Sequence, residues 1–100
     1  MKIEFVPVAR DEFLDAITYY EDAHAGLGHR FKDEIDRCVL WLTDHHELYR
    51  LRPGGYRRIN LRVFPYYIPF VIRNDTIWIL AVAHSSRKPT YWINRDLKSG

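Results

Sequence analysis

Along the first half of the chain the apolar positions recur at helical spacing. From Arg10 to Ala23, Phe13, Ile17 and Tyr20 form a stripe that Leu14 and Ala16 widen, so the segment predicts an amphipathic helix. A cleaner stripe follows, Phe31, Ile35, Cys38 and Leu42 with Val39 beside it, and predicts a second helix from about His29 to Asp44. Between them Ala25-Gly26-Leu27-Gly28 breaks the period, as glycines after a last helical turn do. Asp11, Glu12 and Asp15 fall in the expected early turns of the first helix, where they would complement its macrodipole.

The rest of the chain alternates with period two. Lys2 to Val8 is β-rich, with Pro7 near its end, and predicts a first strand. Beyond Glu47 the stretch to Pro53-Gly54-Gly55 reads as a loop, and three strands follow: Tyr56 to Val63, Tyr66 to Arg73 and Thr76 to His84. Phe64-Pro65 separates the first two, and Asn74-Asp75 suits a tight hairpin turn between the last two. In Tyr56–Val63, alternation sends Ile59, Leu61 and Val63 toward the helices and Arg58, Asn60 and Arg62 to the other face. Pro69 removes a ladder donor, so an edge or a bulge is expected there. Two helices joined by a short turn need a sheet to cover their apolar faces. The expected architecture is therefore α+β, in the order β-α-α-β-β-β, a helical hairpin on a small, mainly antiparallel sheet.

Composition adds bounds. A chain of 100 residues, 47% of them apolar, fits one domain spanning 1–100 with one modest core. Met1-Lys2-Ile3-Glu4 puts charges where a secretory signal would need apolar residues, and no apolar run approaches the membrane-spanning length of about 18 residues; a cytoplasmic location is expected. Cys38 is the single cysteine and has no internal disulfide partner. The net charge of +2 conceals a division: residues 1–47 carry eleven acidic and five basic side chains, residues 48–100 two and ten. An acidic partner or a polyanion would be drawn to the second half.

Candidate chemistry lies in that half. Arg58 and Arg62, joined by Arg57, Arg73 and Arg87, would line one sheet face, and arginine's planar fork suits carboxylate and phosphate. His84, Arg87 and Tyr91 lie within eight residues and have the side-chain types that RNA cleavage requires: a base, an acid and a cation. A histidine at a strand end also commonly serves only as a hydrogen-bonding residue, and His84 has that position. Neither the adjacent His45 and His46 nor His24 and His29 across the glycine turn has the spacing of a metal-ligand pair, so no metal is expected. There is no glycine-rich phosphate loop, and no cofactor is expected.

The ordered set Tyr19-Tyr20, Gly28-His29-Arg30-Phe31, Phe64-Pro65-Tyr66, Ile77 to His84, Arg87, Pro89, Trp92 and Arg95 resembles the RelE/ParE superfamily of toxins from type II toxin–antitoxin modules. The resemblance implies the β-α-α-β-β-β fold and a cognate antitoxin, ParD-like or another small acidic protein, held in a hetero-oligomer. It implies one of two actions, or else a degenerate, non-toxic member that only binds its antitoxin. The RelE branch cleaves mRNA on the ribosome, and the ParE branch poisons DNA gyrase. Against the RelE pattern, Arg58, Arg62, Arg87 and Tyr91 fall near expected positions, whereas Asn60 replaces an expected lysine and Tyr67 an expected arginine. The Phe-Pro-Tyr turn and the tail His84-x-x-Arg87-x-Pro89-x-x-Trp92-x-x-Arg95 look closer to the ParE branch. The residues it implies for target or nucleic-acid contact are Arg57, Arg58, Arg62, Arg73, Arg87, Trp92 and Arg95, with His84, Tyr91 and Arg87 catalytic only in a ribonuclease.

Overall fold

A computed structural model describes residues 1–97. The elements are β1 (Lys2–Phe5), α1 (Pro7–Ala23), α2 (Leu27–His45), a 3-10 turn (His46–Leu48), β2 (Arg57–Asn60), β3 (Tyr66–Arg73), β4 (Thr76–Ile79) and β5 (Ala83–His84). The sheet order is β1-β4-β3-β2, with β5 also on β3; β1 runs parallel to β4 and the other pairings are antiparallel. The expected α+β hairpin-on-sheet architecture is what forms.

Several boundaries move, each for a local reason. Strand β1 ends at Phe5, and Pro7, expected inside it, opens α1. The first helical position suits proline because its missing N–H would have had no intrahelical acceptor. The helix thus begins three residues before Arg10, and its first turn holds no acid. The macrodipole role expected of Asp11, Glu12 and Asp15 is lost with that shift. Helix α2 likewise starts early, at Leu27, because Gly26 takes the left-handed conformation (φ 87°) and leaves Gly28 helical. A Cβ on Gly28 would stand 2.4 Å from the Ile17 carbonyl oxygen, so glycine there allows the two helices to approach this closely.

The core between helices and sheet is aromatic. Phe31 is fully buried, with the rings of Phe13, Tyr20, Phe64 and Tyr66 at centroid distances of 6.2, 5.2, 5.1 and 5.0 Å. Burial of a side chain this size stabilises by about 1.5–3 kcal/mol, before the further contribution of tilted ring pairs. Burial pushes the hydroxyl of Tyr66, facing Tyr20, up to about 12. Because Tyr66 touches α2, alternation turns Ile68, Phe70 and Ile72 to the helices and Tyr67, Pro69 and Val71 to the opposite face.

Strand β3 is central, so Pro69 is not at an edge, and the bulge expectation holds instead. Phe70 faces Ile79 while Tyr67 faces Ala83. Three steps along β3 therefore match four on its neighbour, and the expected single strand Thr76–His84 divides into β4 and β5. The Pro69 carbonyl accepts from Leu80 N–H at 2.9 Å, so its absent N–H faces the bulged segment. At the other end of this hairpin Asn74 and Asp75 both have positive φ, 50° and 60°, the turn that matches strand twist.

The segment after β5 has no regular structure, yet it forms a third layer. Trp92, 1% exposed, lies against Tyr56 and Tyr67 on the sheet face away from the helices, and its Nε1–H donates to Tyr67 Oη at 3.0 Å. The arginine face expected to be open is therefore partly roofed by the chain's own C-terminal segment.

Candidate functional site

Strand β2 is an edge of the sheet, and beside it runs a groove of about 1010 Å³. Helix α2 supplies Glu34, Arg37, Cys38 and Trp41 on one side, and β2 with its continuation supplies Arg58 to Val63 on the other. The segment after α2 contributes Leu48, Tyr49, Arg50 and Arg52. The indole of Trp41 is fixed by stacking on His45, centroids 3.5 Å apart, and by donating Nε1–H to Tyr49 Oη at 3.0 Å.

Glu34 shapes one end. Its carboxylate, 6% exposed, accepts the backbone N–H groups of Arg62 and Val63, the latter at 3.4 Å. This capture bends the chain out of β2 after Asn60. Val63, expected to face the helices, is consequently 70% exposed, while Ile59 and Leu61 remain buried as predicted. Burial raises the Cys38 thiol above its ordinary value, and the neighbouring Glu34 charge adds to the shift.

Five arginines line the groove, Arg37, Arg50, Arg52, Arg58 and Arg62, against the single carboxylate of Glu34, which is already committed to backbone donors. Arg58 lies over the Tyr67 ring, 4.1 Å from its centroid, and donates Nε–H to Asn60 Oδ1 at 3.2 Å. Arg52 Nε is buried and has no hydrogen-bond partner among the described residues, a costly state for a charged donor. The Leu61 N–H donates to the Tyr66 carbonyl on β3 at 2.9 Å. Alternation then turns the backbone polar groups of Arg58 and Asn60 away from β3, along the open edge.

The remaining predicted residues are placed differently. Arg57 donates Nε–H to the Tyr49 carbonyl at 2.9 Å and serves the wall rather than the opening. Arg73 is exposed at the far hairpin, away from the groove. Trp92 is core. Arg95 is held in a half-buried ion pair, its Nη1 and Nη2 donating to Glu12 Oε1 and Oε2 at 2.8 and 2.9 Å. The Tyr91 hydroxyl donates to Glu12 Oε2 at 2.7 Å, and burial and that carboxylate raise it above the ordinary phenol value. Arg87 stacks over the Tyr91 ring at 3.7 Å. His84 Nδ1 accepts the Ser86 N–H at 3.1 Å and contacts Ser86 Oγ at 2.8 Å, the strand-end arrangement weighed from the sequence.

The sequence reading singled out neither Glu34 nor the Arg37, Trp41, Arg50 and Arg52 walls. A signal existed for the carboxylates. Glu34 falls on the α2 stripe, three after Phe31 and four before Cys38, and Glu12 falls between the buried Ala9 and Ala16 of α1. An acid interrupting an apolar stripe needs a buried partner.

The sequence fits the family described as "ParE toxin of type II toxin-antitoxin system, parDE" over residues 3–89. No curated protein matches it. A solved structure titled "Chromosomal ParDE TA system from P. aeruginosa" has the same fold, with a TM-score of 0.70 at 19% identity over 84% of this chain and 95% of that one. The chain belongs to the ParE toxin family of type II toxin–antitoxin systems. Among the described residues no helix is long and apolar enough to cross a membrane.

Proposed function

We propose that an acidic, partly disordered antitoxin segment neutralises this toxin by lying in the α2–β2 groove, and that the released toxin acts by binding DNA gyrase. The observation that carries the first part is the arginine lining. Five guanidinium groups with one committed carboxylate give a strongly positive channel, while Trp41, Leu48 and Val63 offer apolar contact beside it. Acidic side chains on the partner would pair with these guanidinium groups through charge-assisted hydrogen bonds. Ordering a disordered segment costs conformational entropy, and apolar burial together with several charge-assisted hydrogen bonds is the kind of interaction that offsets it.

Action by binding rather than by catalysis is supported by the C-terminal cluster. In a ribonuclease reading, Tyr91 would exchange protons near neutral pH, but its hydroxyl is bonded to Glu12 and its pKa is raised. His84 has one ring nitrogen occupied by Ser86. Mutual positioning for attack on RNA is thus poorly served by these residues, and gyrase is the target favoured over ribosome-bound mRNA.

Two measurements test the reading. Calorimetric titration of the toxin with an acidic, ParD-like antitoxin should show binding that weakens about tenfold or more in Arg52→Ala/Arg58→Ala/Arg62→Ala, with a shallower salt dependence. Equal affinity and equal salt slope in the triple variant would exclude the groove. Purified toxin should inhibit gyrase supercoiling in vitro; unchanged supercoiling and cleavage-complex levels at saturating toxin would exclude the target.

A further inference from the structure

We propose that Glu12 is the positioning residue of the C-terminal segment, a single carboxylate that fixes residues 87–95 against α1 and so determines where Arg87 and Lys88 are presented. Pro69 is where the arrangement originates. The bulge opposite it leaves Leu80 to Val82 outside the β4 and β5 pairings, with polar backbone groups to satisfy. Glu12 Oε1 accepts the Val82 N–H at 3.1 Å, and Arg95 Nη1 donates to the Leu80 carbonyl at 2.9 Å. The same two side chains then pair with each other through both guanidinium nitrogens, at 17% and 15% exposure. Tyr91 joins through its hydroxyl, and Arg87 Nη1 reaches Glu12 Oε2 at 3.5 Å.

The segment has little else to hold it. Its backbone hydrogen bonds are local: Arg87 to His84, Tyr91 to Lys88, Ile93 to Thr90 and Arg95 to Trp92. Ser85 makes the last backbone bond to the body, to the Pro65 carbonyl at 2.8 Å. Beyond it, among the described residues, the segment is held by side chains: Trp92 in its apolar seat with half-buried Ile93 and Leu97 beside the core, and the Glu12 clamp. Trp92 fixes the segment to the sheet, and Glu12 fixes its rotation toward α1. Two points define an orientation where one leaves a pivot.

The consequence for activity rests on the reading that the segment contacts the toxin's target; the structural part does not. In Glu12→Gln, which keeps the shape and loses the charge, hydrogen exchange across residues 87–95 should accelerate about tenfold or more, the effect expected when a charge-assisted pair is lost. Trypsin should cut faster after Arg87, the Lys88–Pro89 bond being resistant to it. Amides of Ile68, Phe70 and Ile77 should keep their protection, antitoxin binding in the groove should be unchanged, and growth arrest on induction should fall. Arg95→Gln should reproduce the pattern, and serves alone if the first variant is not recovered folded. Unchanged exchange in 87–95, or acceleration shared equally by the central strands, overturns the proposal. Loss of arrest together with loss of antitoxin binding would assign Glu12 a purely structural role. A wild-type protein that causes no arrest would count against the target reading alone, since exchange still judges the clamp.

Discussion

Gly28→Ala sets two known effects against each other, and their sizes decide the sign. Alanine is the better helix former, by at most about 1 kcal/mol. Position 28 is the second residue of α2, so the gain is smaller than in a helix interior. Against it, the added Cβ would lie 2.4 Å from the Ile17 carbonyl oxygen and 2.8 Å from Glu21 Cβ, where ordinary contact begins near 3.4 Å. Neither obstacle is the far end of a flexible side chain. Relief requires α1 and α2 to separate by about 1 Å, a gap that forfeits a quarter to a half of each contact's attraction. The Phe13–Phe31 and Tyr20–Phe31 contacts lie across that seam, and overpacking of this kind costs about 1–3 kcal/mol. The Gly28 N–H to Glu21 bond, 3.0 Å, would be strained as well. The net expectation is destabilisation by about 1–2 kcal/mol, or about 4–16 °C in melting temperature for a domain of this size. Urea denaturation followed by tryptophan fluorescence measures it. A variant as stable as wild type, or more so, would refute the account of the helix seam.

Two other outcomes follow from the geometry. Trp92→Ala should cost about 3–5 kcal/mol as a large buried ring is removed, and Trp92→Phe less, with about 1 kcal/mol of it from the lost Tyr67 bond; a cost under about 1 kcal/mol for alanine would place the ring outside the core. Glu21 caps the start of α2, accepting the Gly26 and Gly28 N–H groups at 2.8 and 3.0 Å, and those bonds, Gly26's foremost, hold its carboxyl below the ordinary value. A group depressed in the folded state stabilises fully above its unfolded pKa and loses that contribution as pH falls through the folded value. Acid titration of stability should therefore be shallower in Glu21→Gln, and an identical acid limb would show that the cap contributes nothing.

Local chemistry made much of this fold readable. The α2 stripe, the Asn74-Asp75 turn and the bulge, one of the two alternatives Pro69 allowed, all depend on residues close in sequence, and each is found. Boundaries failed where one residue suits two roles: Pro7 fits a strand end or a helix start, and only the Val6 N–H bond to the Ile79 carbonyl, 3.0 Å, fixes where the strand stops. The site was harder because its organising carboxylates act at long range. Glu34 takes donors 28 and 29 residues away, and Glu12 one that is 83 away. Alternation put Val63 inward because it cannot register that Glu34 diverts the strand. Arginine counting located the basic half, but not which guanidinium groups are free: Arg95 is consumed by Glu12, while Arg50 and Arg52, unremarkable in the sequence, face the groove.

The pairing of β1 with β4 also has a meaning in time. Lys2 to Phe5 are synthesised 74 residues ahead of their partners, Thr76 to Ile79. The helical hairpin can form on its own contacts during synthesis, but no sheet can close around β1 until most of the chain exists. Arg95 follows Glu12 by 83 residues, about 4–17 s at ordinary elongation rates. For that interval the nascent chain has no completed sheet and no clamped C-terminal segment. The parallel pair and the Glu12 clamp are therefore late events in assembly, completed after the helical hairpin can already have formed.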